Sequence, residues 1–279
     1  MVVLRQPDKY YMQTMKKTIL QGLTVIALFF AIWFLLQQVN WMNVFKVERI
    51  TEKTEQKLGD LFWEIFKKTE KEVANQFVVG VIDSLLTTIC VGNDIDRSQI
   101  KIHILNRKEV NAFALPNKRI VIYSGLILAA ENQEELSGVI SHELAHIELQ
   151  HVMKKLVKEF GLSVLISMTT GGSADAIREA ARLLSSTAFD RGLEREADLK
   201  AVDYLVNAKI APEPFANFLN NLSVSENELL KYLSWISTHP ESKERARYII
   251  EYAESLYMPN RAEQVISTAT WEKLKELLK

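Results

Sequence analysis

One stretch, His142-Glu143-Leu144-Ala145-His146, constrains this chain more than any other. It lies in a run from Glu134 to Val157 with no proline and a single glycine, Gly138, and that run reads as one helix. Residues four apart share a helix face. The two imidazoles therefore stand one turn apart and suit one metal ion, with Glu143 in reach of a water on that metal. The flanking Val139, Ile140, Leu144, Ala145, Ile147 and Leu149 are apolar, as expected of a helix inside a core. Zinc lowers the pKa of its water to about 7. A carboxylate beside it takes the proton and later hands it to a leaving amine. That chemistry suits peptide-bond hydrolysis.

Two histidines leave zinc short of a ligand. The metzincin pattern requires a glycine at position 149 and a histidine at position 152; the chain has Leu149 and Val152, which excludes that class. His151 is nine residues past His142, on the opposite side of a continuous helix, and reads as an exposed or rim histidine. His103, in the strand-like run Lys101-Ile102-His103-Ile104-Leu105, is expected to point off its strand. Glu194 is the better candidate. It shares a helix face with Asp198, and it completes a His-His-Glu set of the open, catalytic type. Asp198 suits a hydrogen bond to the far nitrogen of a ligand histidine, fixing its tautomer. The pair alone is weak, since charge runs on helices are usually solvated faces. Small Ala197 and Ala201, with Val202 and Leu205, mark a face packed closely on another helix.

Five segments then carry a resemblance. They are Asn111-Ala112-Phe113-Ala114-Leu115-Pro116, Ile122-Tyr123-Ser124-Gly125-Leu126, the His142–His146 motif, Arg191-Gly192-Leu193-Glu194-Arg195-Glu196-Ala197-Asp198, and Thr238-His239-Pro240 with Arg245 beyond. In order and spacing the chain resembles the M48 family of zinc metallopeptidases, of the gluzincin type. The resemblance implies one Zn2+ per chain on His142, His146 and Glu194, with Glu143 as catalytic base and Asp198 behind the ligands. It places His239 and Arg245 near the active site. It gives Asn111, Ala112, Phe113 and Ala114, together with Arg245, to substrate, held by strand addition. His239 is expected either to occupy the fourth metal position or to support the oxyanion; an alternative is a plain helix-start histidine before Pro240. Two departures are visible. Asp190-Arg191 stands where the family often has Ser-Arg, and Asn117-Lys118 follows Pro116 where glycines are usual.

The chain has 279 residues, a net charge of −1 and one cysteine. Near-neutral charge without a basic, aromatic-laced patch argues against nucleic acid as partner. Cys90 has no disulfide partner within the chain and sits in an apolar run as a core residue. Ile19 to Leu36 has only Gln21 and Thr24 as polar residues, and a membrane span needs about 17–25 apolar residues. A signal peptide has a shorter apolar region of about 7–15 residues and a small-residue cleavage site, so an uncleaved anchor is expected. Trp33 and Trp41 suit an interfacial belt. Arg5, Lys9, Lys16 and Lys17 precede the span, while Lys46, Arg49 and Lys53 follow at greater distance. The closer pair Lys16-Lys17 puts the N-terminus in the cytoplasm, and the enzyme domain outside it.

The expected organisation is a short tail (residues 1–18), a transmembrane anchor (19–36), a charged helical connector (37–75) and a metallopeptidase domain (76–279). Within these, Leu58, Leu61, Phe62, Ile65 and Phe66 are spaced to dock a helix, and 77–91 reads as a core helix. Residues 101–105 and 119–124 read as strands. The short apolar stretch 160–169 ends at Gly171-Gly172-Ser173. Helix is expected over 174–206, from Ala211-Pro212-Glu213-Pro214 onward, and over the tail from Glu241 to Lys279. The fold class is therefore α+β, mostly helical, a zincin-type domain with a small β-sheet and an N-terminal transmembrane helix. The expected activity is single-pass, membrane-bound zinc endopeptidase action on protein or peptide substrates, misfolded or membrane-associated ones included. The rival is a chaperone-like binding protein that keeps the fold without cleaving. Oligomeric state is not legible.

Overall fold

The computed structural model describes residues 9–38, 47–224, 235, 237–240, 242–256 and 263–279. The chain divides into two compact units, Met1–Glu52 and Lys53–Lys279.

The first unit holds helix α1 (Lys9–Gln38). Ile19, Leu20, Phe29 and Phe30 on it are exposed. Among the described residues no helix is long and apolar enough to cross a membrane, so the span expected over residues 19–36 is not a finding of the structure. The belt residues Trp33 and Trp41 lie outside the described side chains, as do Arg5, Lys9, Lys16, Lys46 and Arg49.

Helix α2 (Val47–Thr69) belongs to the second unit from Lys53 onward. Its Leu58, Phe62 and Phe66 recur every fourth residue, forming one apolar face, and all three are buried in the core. Helix α3 (Gln76–Gly92) starts at Asn75, whose side chain accepts from the amides of Phe77 and Val78. It buries Val78, Ile82, Leu85, Leu86, Ile89 and Cys90.

Strands β1 (Lys101–Leu105), β2 (Ala112–Leu115) and β3 (Arg119–Tyr123) form a sheet in the order β1-β3-β2. β1 pairs parallel with β3, and β2 pairs antiparallel with it, Phe113 opposite Val121. Every residue of β3 is buried, as suits a central strand covered on both faces. The β2–β3 turn answers the question that the missing glycines raised: Asn117 and Lys118 both adopt positive φ, 62° and 51°. Asparagine tolerates that region better than most residues. The turn is braced by α2, where Asn117 Nδ2 donates to Asp60 Oδ1 at 3.1 Å. Gly59 permits the approach, since a Cβ there would lie 2.3 Å from the Pro116 carbonyl oxygen.

The short α4 (Ser124–Ala129) leads to α5 (Gln133–Glu148), which carries the His-Glu-x-x-His motif. Asn132 caps α5 through the Glu135 amide, and the helix is buried from Glu135 to Ile147. One expectation fails here: the helix does not continue to Val157. It ends at Glu148, Gln150 takes the left-handed conformation (φ 57°, ψ 27°), and α6 (His151–Phe160) starts afresh in a new direction. Helices α7 (Leu162–Thr169) and α8 (Ala174–Ser186) follow, then α9 (Arg191–Asn207), α10 (Glu213–Val224), α11 (Ser242–Ser255) and α12 (Thr268–Leu278). Thus 174–206 is two helices, not one, broken where Thr187 turns extended and Phe189 packs inward. Among the described residues the C-terminal tail likewise holds two helices, α11 and α12.

Helix α5 is the centre of the unit. It packs on α9, α10 and α3, and against β2 and β3. Gly138 lets α10 close on it: a Cβ there would meet Phe215 Cβ at 2.3 Å. The fold is mostly helical α+β with a three-stranded sheet among the described residues.

Candidate active site and metal centre

Helices α5 and α9 bring their functional faces together because both are narrow there. Ala145 on one and Ala197 and Ala201 on the other are fully buried, so the backbones approach closely. His142, His146 and Glu194 meet across that seam. Buried Thr238 and His239 follow Trp235, whose carbonyl accepts from the His239 amide at 2.7 Å.

Four buried donor atoms converge there, all within 4.8 Å of one another, from His142, His146, Glu194 and His239. His142 Nε2 is 3.0 Å from His146 Nε2 and 3.3 Å from His239 Nδ1. The Glu194 carboxylate oxygens lie 3.5 Å from His142 Nε2 and His146 Nε2, and 3.1 Å from His239 Nδ1. Tetrahedral zinc with ligands at about 2.0–2.1 Å places its donors roughly 3.3 Å apart. The donor set and its spacing therefore fit zinc.

Glu143 sits in the same pocket, fully buried, and neither carboxylate oxygen has a hydrogen-bond partner among the described residues. The His239 ring approaches it, with Nε2 3.4 Å from Oε1. A buried polar group left unpaired is costly, and such costs concentrate where chemistry needs them. Burial pushes the Glu143 carboxyl above its ordinary value.

Behind the donors, Asp198 Oδ1 lies 2.9 Å from His142 Nδ1. Asp198 also accepts two bonds from Arg245, at 2.8 and 2.7 Å, and a short one from the Tyr248 hydroxyl. Arg245 Nη1 lies 2.9 Å from Glu194 Oε2. Burial alone would raise the Asp198 and Glu194 carboxyls, but the Arg245 guanidinium, with His142 at Asp198 and His239 at Glu194, holds both well below the carboxylate range. Burial likewise opposes a charged His142. Its bond to Asp198 more than offsets this and lifts it to about 9, while burial and the neighbouring His142 push His146 down to about 3.

The other expected residues are placed as follows. Asn111 is buried, donating to the Ser185 carbonyl at 3.2 Å and accepting from Thr238 Oγ1 at 3.3 Å. Ala112, Phe113 and Ala114 are buried on the edge strand. Arg245, expected near substrate, turns its guanidinium to Asp198 and Glu194 instead. His103 is away from this cluster, bound to Glu72 and Arg119. Asp190 stands just before α9 and pairs with Lys158 at 2.8 Å.

His151 is neither exposed nor at a rim. It is fully buried, with Nδ1 3.0 Å from His146 Nδ1. The expectation assumed an unbroken helix, and the break at left-handed Gln150 removes that premise. Three aromatic residues were also not foreseen. Phe189 stacks on His146 (centroids 4.1 Å, 18°), Trp235 stacks on His239 (4.3 Å, 30°), and Tyr248 braces Asp198. Only Tyr248 had a local signal, three residues past Arg245 and on its helix face.

Comparison with known proteins agrees with the site. Residues 80–253 match peptidase family M48. The chain is 31% identical to metalloprotease LoiP of Escherichia coli over 174 residues, 59% of this chain and 68% of that protein. It is 26% identical to the mitochondrial metalloendopeptidase OMA1 of Schizosaccharomyces pombe, over 54% of this chain and 46% of that one. It is 22% identical to the β-barrel assembly-enhancing protease of Yersinia pestis, over 67% of this chain and 41% of that one. The chain thus spans less than half the length of the latter two. With a match over most of its length and a buried donor set that fits zinc, the chain belongs to peptidase family M48 and is a zinc-dependent metallopeptidase.

Proposed function

We propose that His142, His146 and Glu194 hold one catalytic zinc and that Glu143 is the base of an endopeptidase acting on protein substrates. The convergence of three donors from α5 and α9 on one point, beside a buried carboxylate that has no hydrogen-bond partner among the described residues, carries this reading. Bound zinc supplies a Lewis acid and a water acidified to about neutrality. Glu143 takes the proton of the attacking water and delivers it to the leaving amine, and a pKa raised by burial suits both steps. Asp198 fixes His142 with Nε2 toward the donor cluster. Arg245 positions Asp198 and Glu194 and is not assigned to substrate. His239 Nδ1 is the fourth donor of the cluster; with zinc held by the other three, its imidazole would be available to the developing oxyanion.

Strand β2 supports a substrate-binding role for Asn111 to Ala114. It is the edge of the sheet and lies beside α5. Because the side chains of Ala112, Phe113 and Ala114 are buried, substrate is read there through backbone groups. Membrane attachment through residues 19–36 is part of the proposal and is supported by the exposed apolar side chains of α1 between Ile19 and Phe30. On that reading the peptidase unit faces away from the cytoplasm, and misfolded or membrane-associated proteins are the substrate class. The chaperone-like alternative finds no support, since base and donors are all present.

The deciding test is Glu143→Gln. This variant keeps the shape and the zinc. Hydrolysis of an unfolded protein falls by about 10²–10⁴-fold. Near-normal turnover with full zinc would remove Glu143 from the role of base.

A further inference from the structure

The two histidines of the motif are supported from behind in different ways. His142 reaches a carboxylate directly, through Asp198. Among the described residues, no carboxylate faces His146 Nδ1 directly. Its Nδ1 faces His151 Nδ1 at 3.0 Å, and His151 Nε2 faces Glu196 Oε2 at 3.2 Å.

From this geometry we infer that His151, backed by Glu196, is a positioning residue that sets the tautomer and orientation of His146 at the metal. The inference rests on the zinc assignment above. The proton positions follow from connectivity. His146 Nε2 stands in the donor cluster with His142 Nε2 and Glu194; with that nitrogen given to the zinc of the proposed function, the ring proton goes to Nδ1 and donates to His151. His151 then accepts at Nδ1, carries its own proton on Nε2, and donates to Glu196. The result is a relay of carboxylate, imidazole and ligand imidazole, longer by one ring than the usual carboxylate–histidine pair.

Three further observations support it. His151 is fully buried, although a histidine just past a helix end has ready access to solvent elsewhere. The helix break that sets His151 against His146 has the non-glycine Gln150 at φ 57°. Such a conformation is disfavoured and persists where the surrounding structure requires it. Finally, Phe189 stacks on the His146 ring. The ring plane is thus held by stacking and its in-plane orientation by His151. Glu196 is about half exposed (52%), so its share is smaller than that of Asp198 behind His142.

The test is zinc affinity of the full-length chain by competition with a chromogenic chelator, with the Co2+ spectrum of each variant as a second readout. His151→Phe fills the space but offers no acceptor, and affinity is expected to fall about 10–100-fold. His151→Gln offers an amide oxygen to His146 Nδ1–H and is expected to recover most of that loss. Glu196→Gln weakens binding a few-fold. A merely structural His151 would show no rescue by Gln and an unchanged Co2+ spectrum. His146→Ala separates the two readings: if it keeps a full equivalent of zinc, the metal assignment itself fails. If it loses zinc while His151→Phe binds within about two-fold of wild type, the relay alone is overturned. Should His151→Phe not fold, Glu196→Gln decides, unchanged affinity and spectrum counting against the relay.

Discussion

Asp198 Oδ1 lies 2.9 Å from His142 Nδ1 while its two oxygens take both Arg245 donors. On the proposed zinc assignment, one fully buried carboxylate orients a ligand histidine and also faces a buried guanidinium. Asp198→Asn separates these duties from packing, because the amide keeps the volume. It is expected to weaken zinc binding about 10–100-fold. It also leaves Arg245 short of a counter-charge, at a cost of roughly 3–5 kcal/mol in unfolding free energy. Chelator competition and urea titration measure the two effects, and an unchanged zinc affinity would detach Asp198 from the site.

His239 stands at the fourth corner, within 3.1–3.3 Å of Glu194 and His142. If this arrangement blocks the site at rest, His239→Ala raises basal proteolysis with one zinc per chain retained. A fall of about 10²-fold in kcat would instead give the residue to the oxyanion. Unchanged kinetics and metal affinity would leave it a packing residue on Trp235.

His103 clasps α2 to the sheet. Its Nδ1 donates to Glu72 Oε1 at 2.8 Å, Arg119 Nη1 donates to its Nε2 at 3.0 Å, and the ring stacks on Trp63. Arg119 Nη2 continues to Asp60 on α2. Burial and the facing Arg119 and Lys101 cations depress the imidazole below its ordinary 6.5, Glu72 opposing them. The unfolded chain takes up a proton at about 6.5 that the folded chain refuses. Stability is therefore full above that pH and declines as pH falls through the folded value. Between pH 7.5 and pH 5, urea titrations are expected to show a larger loss of stability in wild type than in His103→Gln. Identical pH slopes would show that the clasp does not titrate.

Residues 19–36 are tested by fractionation. The full-length protein is expected to stay in membranes through an alkaline carbonate wash, and a chain starting at Val47 to be soluble. A mature N-terminus found downstream of Leu36 would replace the anchor with a cleaved leader.

The centre of the site was legible because its spacing is local. His142 with His146, and Glu194 with Asp198, are four residues apart, and four residues is one helical turn whatever surrounds it. Apolar flanks marked both helices for burial, and the small Ala197 and Ala201 marked a close helix contact. The sheet was partly legible: residues 101–105 and 119–124 read as strands, while β2 gained its place only by pairing with β3. What escaped the sequence depends on where the chain reverses and on contacts between distant segments. A single left-handed residue, Gln150, turns His151 from the far side of an assumed helix onto His146. A break at Thr187 delivers Phe189 to the same ring from the other side. Arg245 read as a substrate residue because its partners, Glu194 and Asp198, lie 51 and 47 positions earlier. Periodicity carries information over a few turns of helix, whereas the partner of a buried charge is decided by which helices pack together. Sequence alone therefore determined the spacing of the proposed donors and the helical faces they share, and tertiary packing decided what stands behind each of them.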